Sequence, residues 1–256
     1  MPGILKLIRD RHSTRGSFDT SRPVTREQLK QVLEAARWAP TPNNMQNFEI
    51  VVVDEKEQIE AIGKIPAEMT EAFLRENYAQ LSFTEEELLV KKSGMLASAF
   101  PAAWTDPEAW NPESDYRYQM TFLGRAVEET SLLLVVLYDG SKRAPGSERD
   151  VLGQIGLGCV LENMWLMSES LGIGFHVLTV FGDGRVEKEV KKVLHVPEPM
   201  KVAYACSLGH RATPQPDYPR VRRELESFIH HNRFGRKDIA WSAGQAKKPR
   251  GAAKKA

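Results

Sequence analysis

The sequence predicts a globular fold that contains both α-helices and β-strands, and three observations support this prediction. The 256-residue chain is 41% hydrophobic and 27% charged, an ordinary globular composition, and it is long enough to bury a large core. Several segments carry apolar residues at the spacing of amphipathic helices. Between them lie short β-branched or continuously apolar runs, which are typical of strands.

Helix-capping signals locate two of the helices directly. Thr25 with Gln28, and Thr84 with Glu87, form capping-box sequences in which each side chain satisfies the other residue's backbone N–H. Apolar periodicity supplies the remaining helices. The expected helices cover residues 3–10, 26–38, 55–64, 67–80, 85–92, 119–130, 151–171 and 184–194.

The helix expected at 151–171 is apolar almost all round, so we expect it to be central and buried. Gly172 follows it at the position where glycine commonly ends a helix. Asn163 within it is expected to be a core amide whose hydrogen bonds are satisfied.

Apolar runs predict strands at 48–53, 131–138, 174–181 and 201–208. Residues 66–115 are the least regular part and form an expected insertion or lid. The Pro- and Trp-rich run at 100–112 fits either a functional lid or a surface excursion that packs its own Trp104 and Trp110. We expect one domain over residues 1–235 and a disordered basic tail over 236–256.

Charge and cysteine content narrow the class of protein. The net charge of +1 gives no global field that would favour nucleic acid or a membrane as partner. Cys159 and Cys206 lie in apolar runs without metal-ligand spacing, so a zinc site is not expected and a reducing compartment is favoured. The N-terminus lacks a signal-peptide pattern, and no apolar run approaches the ~20 residues that span a bilayer. The expected location is the cytoplasm.

The run Arg11-His12-Ser13-Thr14-Arg15 concentrates two guanidiniums, an imidazole and two hydroxyls after the first helix. Guanidiniums bind phosphate bidentately, and hydroxyl or backbone N–H groups can complete an anion site. Alone, the run equally fits a solvated basic turn. A second polar run, Ala39-Pro-Thr-Pro-Asn-Asn-Met-Gln-Asn-Phe48, follows one helix later and favours the functional interpretation.

Other catalytic patterns are missing from the sequence. The Gly156-x-Gly158 and Gly182-x-Gly184 pairs are not a dinucleotide fingerprint, and there is no P-loop. No serine lies in a nucleophile-elbow context, and the six histidines lack metal-ligand spacing. An enzyme with this inventory usually takes its chemistry from a cofactor.

The two runs together resemble the FMN-dependent nitroreductase family. That family opens with Arg-Arg/His-Ser-x-Arg/Lys and follows with Ala-Pro-Ser-x-x-Asn-x-Gln-Pro-Trp, which Arg11–Arg15 and Ala39–Gln46 match in order and spacing. The buried helix ending in Leu171-Gly172-Ile173-Gly174 and the segment Pro219–Gly235 also resemble the family. The resemblance covers roughly residues 3–235.

This resemblance implies an α+β fold with a central, mostly antiparallel sheet flanked by helices. It also implies an intertwined homodimer with FMN at the subunit interface. Residues of the first run would hold the phosphate and ribityl chain, residues of the second would reach the flavin from the other subunit, and a late arginine pair would return to the phosphate. The flavin-binding residues so implied are Arg11, His12, Ser13, Arg15, Pro40, Thr41, Pro42, Asn44, Leu178, Thr179, Arg220 and Arg222.

The implied activity is transfer of hydride from NADPH or NADH through FMN to a small electron-poor acceptor, such as a nitroaromatic, quinone or enone, by a ping-pong mechanism. No protein side chain is expected to be catalytic, since the flavin carries the chemistry. The chain has Val177-Leu178-Thr179-Val180 where the family often has Pro-x-Glu-Gly, so the usual Glu is missing and only backbone N–H groups would face the flavin there. Two alternatives stay open: a flavin-binding module or sensor without turnover, and a dehalogenase or flavin-fragmenting branch of the fold.

Overall fold

The computed structural model describes residues 3–67, 71–106, 123–124, 127, 129–212 and 219–239. Their helices are α1 Ile4–Asp10, α2 Arg26–Arg37, α3 Lys56–Gly63, α4 Glu71–Leu74, α5 Glu85–Lys91, α6 Ala102–Thr105, α7 Val151–Ser170, α8 Gly184–Val193 and α9 Leu225–Phe228. Their strands are β1 Glu49–Val53, β2 Ser82–Phe83, β3 Met95–Leu96, β4 Leu132–Asp139, β5 Gly174–Leu178 and β6 Met200–Gly209.

The chain divides into two compact units. The first comprises Met1–Glu71 and Ala109–Asp217, and the second comprises Ala72–Glu108 and Tyr218–Ala256. The expectation of one domain over residues 1–235 therefore stays a prediction. The tail expected at 236–256 lies outside the described residues from position 240 onward.

The first unit is built on a four-stranded sheet in the order β1-β4-β6-β5, and every neighbouring pair is antiparallel. Strand β4 is central, and its residues Leu132–Leu137 are all buried. Successive side chains of a strand point to opposite faces. A continuously apolar run such as β4 is therefore what a sheet covered on both faces requires.

Each face of the sheet carries its own apolar core. Leu133, Val135 and Leu137 of β4 belong to the cluster that includes residues of α3 and α8. Leu132, Leu134 and Val136 belong to the cluster that includes residues of α2 and α7. The result is a helix–sheet–helix sandwich, which confirms the predicted α+β class with an antiparallel sheet.

Helix α7 ends as the sequence predicts but is less buried than expected. Gly172 has φ +68°, and the N–H of Ile173 donates to Ser168 O at 2.9 Å, which closes a Schellman motif. Asn163 donates to Ala35 O at 3.0 Å, as expected of a satisfied core amide. However, Val151, Leu152 and Ile155 are exposed and lie outside the cluster in which α7 packs against the sheet and α2.

Several other sequence predictions can be compared directly. Both capping boxes are present, at the starts of α2 and α5. The helix expected at 67–80 is a short α-helix, α4, that continues as a π-helical turn over Arg75–Ala79. Strand β5 is shorter than expected because residues Thr179–Gly182 form a 3-10 turn that directs Phe181 into the core. Most of the helix expected at 119–130 lies outside the described residues.

In the second unit, β2 and β3 form a small parallel pair, and an aromatic cluster lies beside it in sequence. Tyr78 lies 5.1 Å from Phe100 and 5.0 Å from Trp104 between ring centroids. Trp104 thus packs with other aromatic rings of its own unit. Trp110 and the rest of the expected lid after position 106 lie outside the described residues, so the lid stays a prediction.

Among the helices that the structure describes, we find none whose length and apolar character would let it cross a bilayer.

Candidate functional site

The Arg11–Arg15 run lies along the outer edge of β5, where it is fixed by Thr14. The N–H of Thr14 donates to Phe175 O at 2.8 Å, and the N–H of Phe175 donates to Thr14 Oγ1 at 3.1 Å. Strand β5 is at the edge of the sheet, so these bonds satisfy backbone groups that no further strand pairs. Thr14 is fully buried. Its neighbours Ser13 and Arg15 are held in place by this contact.

Arg11 is held by two side chains of α7. Its Nε lies 3.2 Å from Glu162 Oε1, and its guanidinium carbon lies 4.3 Å from the ring centroid of Trp165. Residues 162 and 165 are three apart, so they share one side of the helix. The Trp165 indole N–H also donates to His12 O at 3.3 Å. The backbone and the side chain of the run are therefore both tied to α7.

His12 turns back onto α1, since its Nδ1 lies 2.9 Å from Asp10 O. The structure brings a further arginine to the run: Arg211 follows β6 and donates from Nε to Thr14 Oγ1 at 3.4 Å. Arg211 also pairs with Glu169 at 3.2 Å, and both side chains are partly buried. Arg211, Glu162 and Trp165 were not among the expected site residues, because each is close to the run only in the folded chain.

His176 is the next residue of β5 and carries the most clearly perturbed pKa of the site. Burial, the larger cause, and the positive charge of Arg15 together lower the pKa of its imidazole from 6.5 to about 4. His176 is opposite Ser207 in the β5–β6 register, and Ser207 is fully buried. The imidazole is therefore neutral at physiological pH.

The second run forms a compact turn. Residues Pro42–Asn44 make a 3-10 turn, and Asn43, Asn44 and Gln46 have positive φ, a conformation that asparagine tolerates better than most residues. Thr41 Oγ1 accepts from the N–H of Gln46 at 3.1 Å, and the Gln46 amide donates to Asn44 Oδ1 at 3.2 Å. Gln46 thus stabilises the turn that presents Asn44.

The turn rests on the N-terminal half of α7. A Cβ at Gly156 would lie 3.2 Å from Pro42 Cδ, so only a small residue fits beneath the turn at its present distance. The cavity between this turn and α7 has a volume of about 10 Å³, enough for about one water molecule. Gly156 and Glu162 are separated along the axis by about 9 Å, six residues at 1.5 Å each. The two runs therefore contact different turns of the same helix.

The remaining expected residues lie in two places. Leu178 ends β5 with its side chain in the core, so it could meet a ligand only through its backbone. Thr179 is exposed and begins the 3-10 turn. Arg220 and Arg222 are exposed residues of the second unit, and Arg222 donates to Val221 O at 2.7 Å. Their approach to the first run stays a prediction.

A larger cavity of about 620 Å³ lies elsewhere in the first unit. It is lined by residues near the starts of α2 and α3, including Arg26 and Asp54. These two side chains form an ion pair with a 2.8 Å contact, so their charges compensate each other. The cavity is not lined by any of the expected flavin-binding residues.

A family model for the nitroreductase family matches residues 8–210. The chain therefore belongs to the nitroreductase family. No curated protein sequence matches it.

Solved structures share the fold at low sequence identity. A nitroreductase with bound FMN from Bacteroides fragilis is 18% identical, with a TM-score of 0.52 and coverage of 85% of this chain and 97% of that one. A putative NADH oxidase from Clostridium acetobutylicum is 17% identical, with a TM-score of 0.57 and coverage of 89% and 99%. An NADPH:FMN oxidoreductase from Vibrio harveyi complexed with NAD+ is 19% identical, with a TM-score of 0.57 and coverage of 90% and 77%.

Proposed function

We propose that this protein is an FMN-dependent oxidoreductase that uses NADPH or NADH to reduce a small electron-poor acceptor in a ping-pong cycle. The observation that carries the proposal is the anchored Arg11–Arg15 run on the edge of β5, in a chain of the nitroreductase family. Bound FMN would accept hydride from the nicotinamide and pass it to a nitroaromatic, quinone or enone. Names of similar structures that mention FMN, NADPH and NAD+ support this choice.

The donor set of the run suits a phosphate. Arg11 and Arg15 supply guanidiniums whose planar forks match phosphate oxygens, and Ser13 supplies a hydroxyl donor. Glu162, Trp165 and Thr14 hold the run before any ligand arrives, which reduces the entropy lost on binding. These residues would bind and orient FMN, while the redox chemistry belongs to the flavin.

The partner that we propose for α1 and α7 is a second copy of the chain. Ile4, Leu5 and Ile8 of α1 are exposed, as are Val151, Leu152 and Ile155 of α7, and α1 packs against α7. On each helix these residues are adjacent or three to four positions apart, so they form an exposed apolar cluster, and such clusters mark interaction sites. Gly158 fits the same interpretation, because a Cβ there would meet nothing within 4 Å although a glycine inside a helix costs about 1 kcal/mol relative to alanine.

A two-fold axis perpendicular to α7 would also complete the site. Such an axis reverses the direction of the second copy, so the two α7 helices would pair antiparallel. The N-terminal half of one α7, which carries the Pro42–Asn44 turn, would then lie beside the C-terminal half of the other, which carries Arg11 through Glu162 and Trp165. In this arrangement Pro40, Thr41, Pro42 and Asn44 reach the flavin from the partner chain.

Anaerobic stopped-flow spectroscopy of the protein reconstituted with FMN tests the proposal. We expect stoichiometric FMN binding, bleaching of the flavin absorbance by NADPH or NADH, and return of the absorbance when an electron-poor acceptor is added. An apoprotein that does not bind FMN would contradict the cofactor assignment. A bound flavin that neither nicotinamide bleaches would instead identify a flavin-binding module without turnover.

A further inference from the structure

Trp165 lies at the centre of the contacts that hold Arg11. Its ring faces the Arg11 guanidinium at 4.3 Å and stacks on Phe175 with centroids 5.4 Å apart and an interplanar angle of 19°. Its indole N–H donates to the carbonyl of His12, the residue that follows Arg11. One side chain therefore restrains both the guanidinium and the backbone beside it.

This arrangement matters because a free arginine side chain is flexible. Part of its rotamer entropy is lost when the guanidinium binds a phosphate. An aromatic ring that already holds the guanidinium lowers that cost before the ligand arrives. The Glu162 carboxylate lies 3.2 Å from Nε of the same group and adds an electrostatic restraint.

From this geometry we infer that Trp165 is a positioning residue that aligns Arg11 for a ligand phosphate, and so makes the site prefer a phosphorylated flavin to the same flavin without its phosphate. The inference rests on the proposed function. Trp165 would not touch the flavin ring, and it would act on Arg11 both through the ring contact and through the backbone bond at His12.

Trp165 also packs against the apolar cluster between the sheet and α7, so a purely structural role predicts a different outcome. If Trp165 only packs, its loss would lower the melting temperature and weaken the binding of FMN and of riboflavin equally. If it positions Arg11, its loss would weaken the binding of FMN alone, because riboflavin has no phosphate for Arg11 to bind. The ratio of the two dissociation constants therefore separates the two roles.

The experiment measures the Kd for FMN and for riboflavin, with the melting temperature, in the wild type and in Trp165→Leu. We expect the Kd for FMN to rise about 3- to 30-fold, the range of one lost cation–π contact, with the Kd for riboflavin unchanged within about twofold. Trp165→Phe keeps an aromatic ring but loses the N–H donor, so its ratio should lie between those of the wild type and Trp165→Leu.

Two further variants complete the test. Leu161→Ala removes packing from the same cluster, and we expect it to lower the melting temperature without changing the Kd ratio. In an Arg11→Ala background, Trp165→Leu should leave the ratio unchanged, because the coupled partner is already gone.

An unchanged ratio in both Trp165 variants, or an equal loss of FMN and riboflavin affinity, would overturn the inference. If Trp165→Leu does not fold, Trp165→Phe with the Arg11→Ala background still decides the question. A wild-type protein that binds neither FMN nor riboflavin would contradict the proposed function itself, which is a separate outcome.

Discussion

Arg11 is the residue on which the proposed phosphate site depends most. Replacing it by alanine removes one charge-assisted contact, worth roughly 1.5–3 kcal/mol, so FMN affinity should fall by about one to two decades. The matched control is Arg37→Ala, which removes an arginine that also pairs with a glutamate and lies over a tryptophan, but on α2. Isothermal titration should show the loss for Arg11→Ala only. Equal FMN affinity in wild type and Arg11→Ala would remove the phosphate assignment.

His176 provides a pH test at the same scale. Its pKa in the folded chain, about 4, lies below the ordinary value of 6.5, so the unfolded chain binds more protons between these values. The neutral His176 imidazole therefore contributes to the free energy of unfolding above pH 6.5, and this contribution, at most about 3 kcal/mol, is lost as the pH falls toward 4. The free energy of unfolding, measured with urea at several pH values, should therefore fall less steeply between pH 6.5 and pH 4 in His176→Gln than in the wild type.

The control for this measurement is His195→Asn, which alters an exposed histidine after α8 and suits the positive φ of 52° there. Its free energy of unfolding should depend on pH in the same way as that of the wild type. The pKa of His210 is also lowered, chiefly by burial, so only the difference between variants isolates His176. If the free energy of unfolding depends on pH identically in His176→Gln and in the wild type, this imidazole does not contribute to the pH dependence of stability.

At the residue scale, the sequence could indicate only the groups that the chain itself brings together, and their role in binding stays a prediction. Arg11, Ser13 and Arg15 are local in sequence, and the structure places them on one sheet edge through Thr14. Trp165 and Arg211 could not be found in this way, because about 150 and 200 residues separate them from the run. Their contacts exist only because β5, β6 and α7 come together in the folded chain.

At the scale of elements, the exposed face of α7 allows the proposed homodimer to be tested. Ile155 is 56% exposed on the uncovered side of α7, so a charge there should leave the folded chain intact but prevent burial in a second copy. We expect Ile155→Glu to shift the mass measured by light scattering from twice 28.9 kDa to 28.9 kDa. Val90→Glu, at a still more exposed apolar position on α5, is the control and should stay dimeric.

A wild-type mass of 28.9 kDa, or a dimer that survives Ile155→Glu, would contradict the assignment of this face.

The same helix shows what element-scale prediction can miss. Capping boxes and the glycine after α7 were predicted correctly because they depend on neighbouring residues. The expected burial of α7 on every side was wrong for the single chain, since apolar composition alone does not say which molecule covers a face.

At the scale of the whole molecule, the continuously apolar strand β4 and the amphipathic helices on both sides of the sheet follow from hydrophobic patterning. The antiparallel order of the strands did not follow from the patterns and came from the family resemblance. The segment between α3 and β4 was the hardest to predict, because short turns such as α4 and the β2–β3 pair carry little periodicity. The roles of Arg220 and Arg222, in the second unit, stay predictions.

The sharing of one flavin site by two chains can be tested with mixed dimers. One chain carries Arg11→Ala, and the other carries Asn44→Gly, which removes the side chain while allowing the positive φ of 54°. If the two groups come from different chains, a heterodimer holds one intact site and one doubly altered site. If they come from the same chain, a heterodimer holds two singly altered sites and none that is intact.

The decisive measurement is therefore the FMN binding stoichiometry of purified heterodimers, isolated with two different affinity tags. We expect one FMN per heterodimer to bind with wild-type affinity, whereas neither variant homodimer binds FMN that tightly. Heterodimers of verified composition that bind no FMN at wild-type affinity would contradict a site built from Arg11 of one chain and Asn44 of its partner.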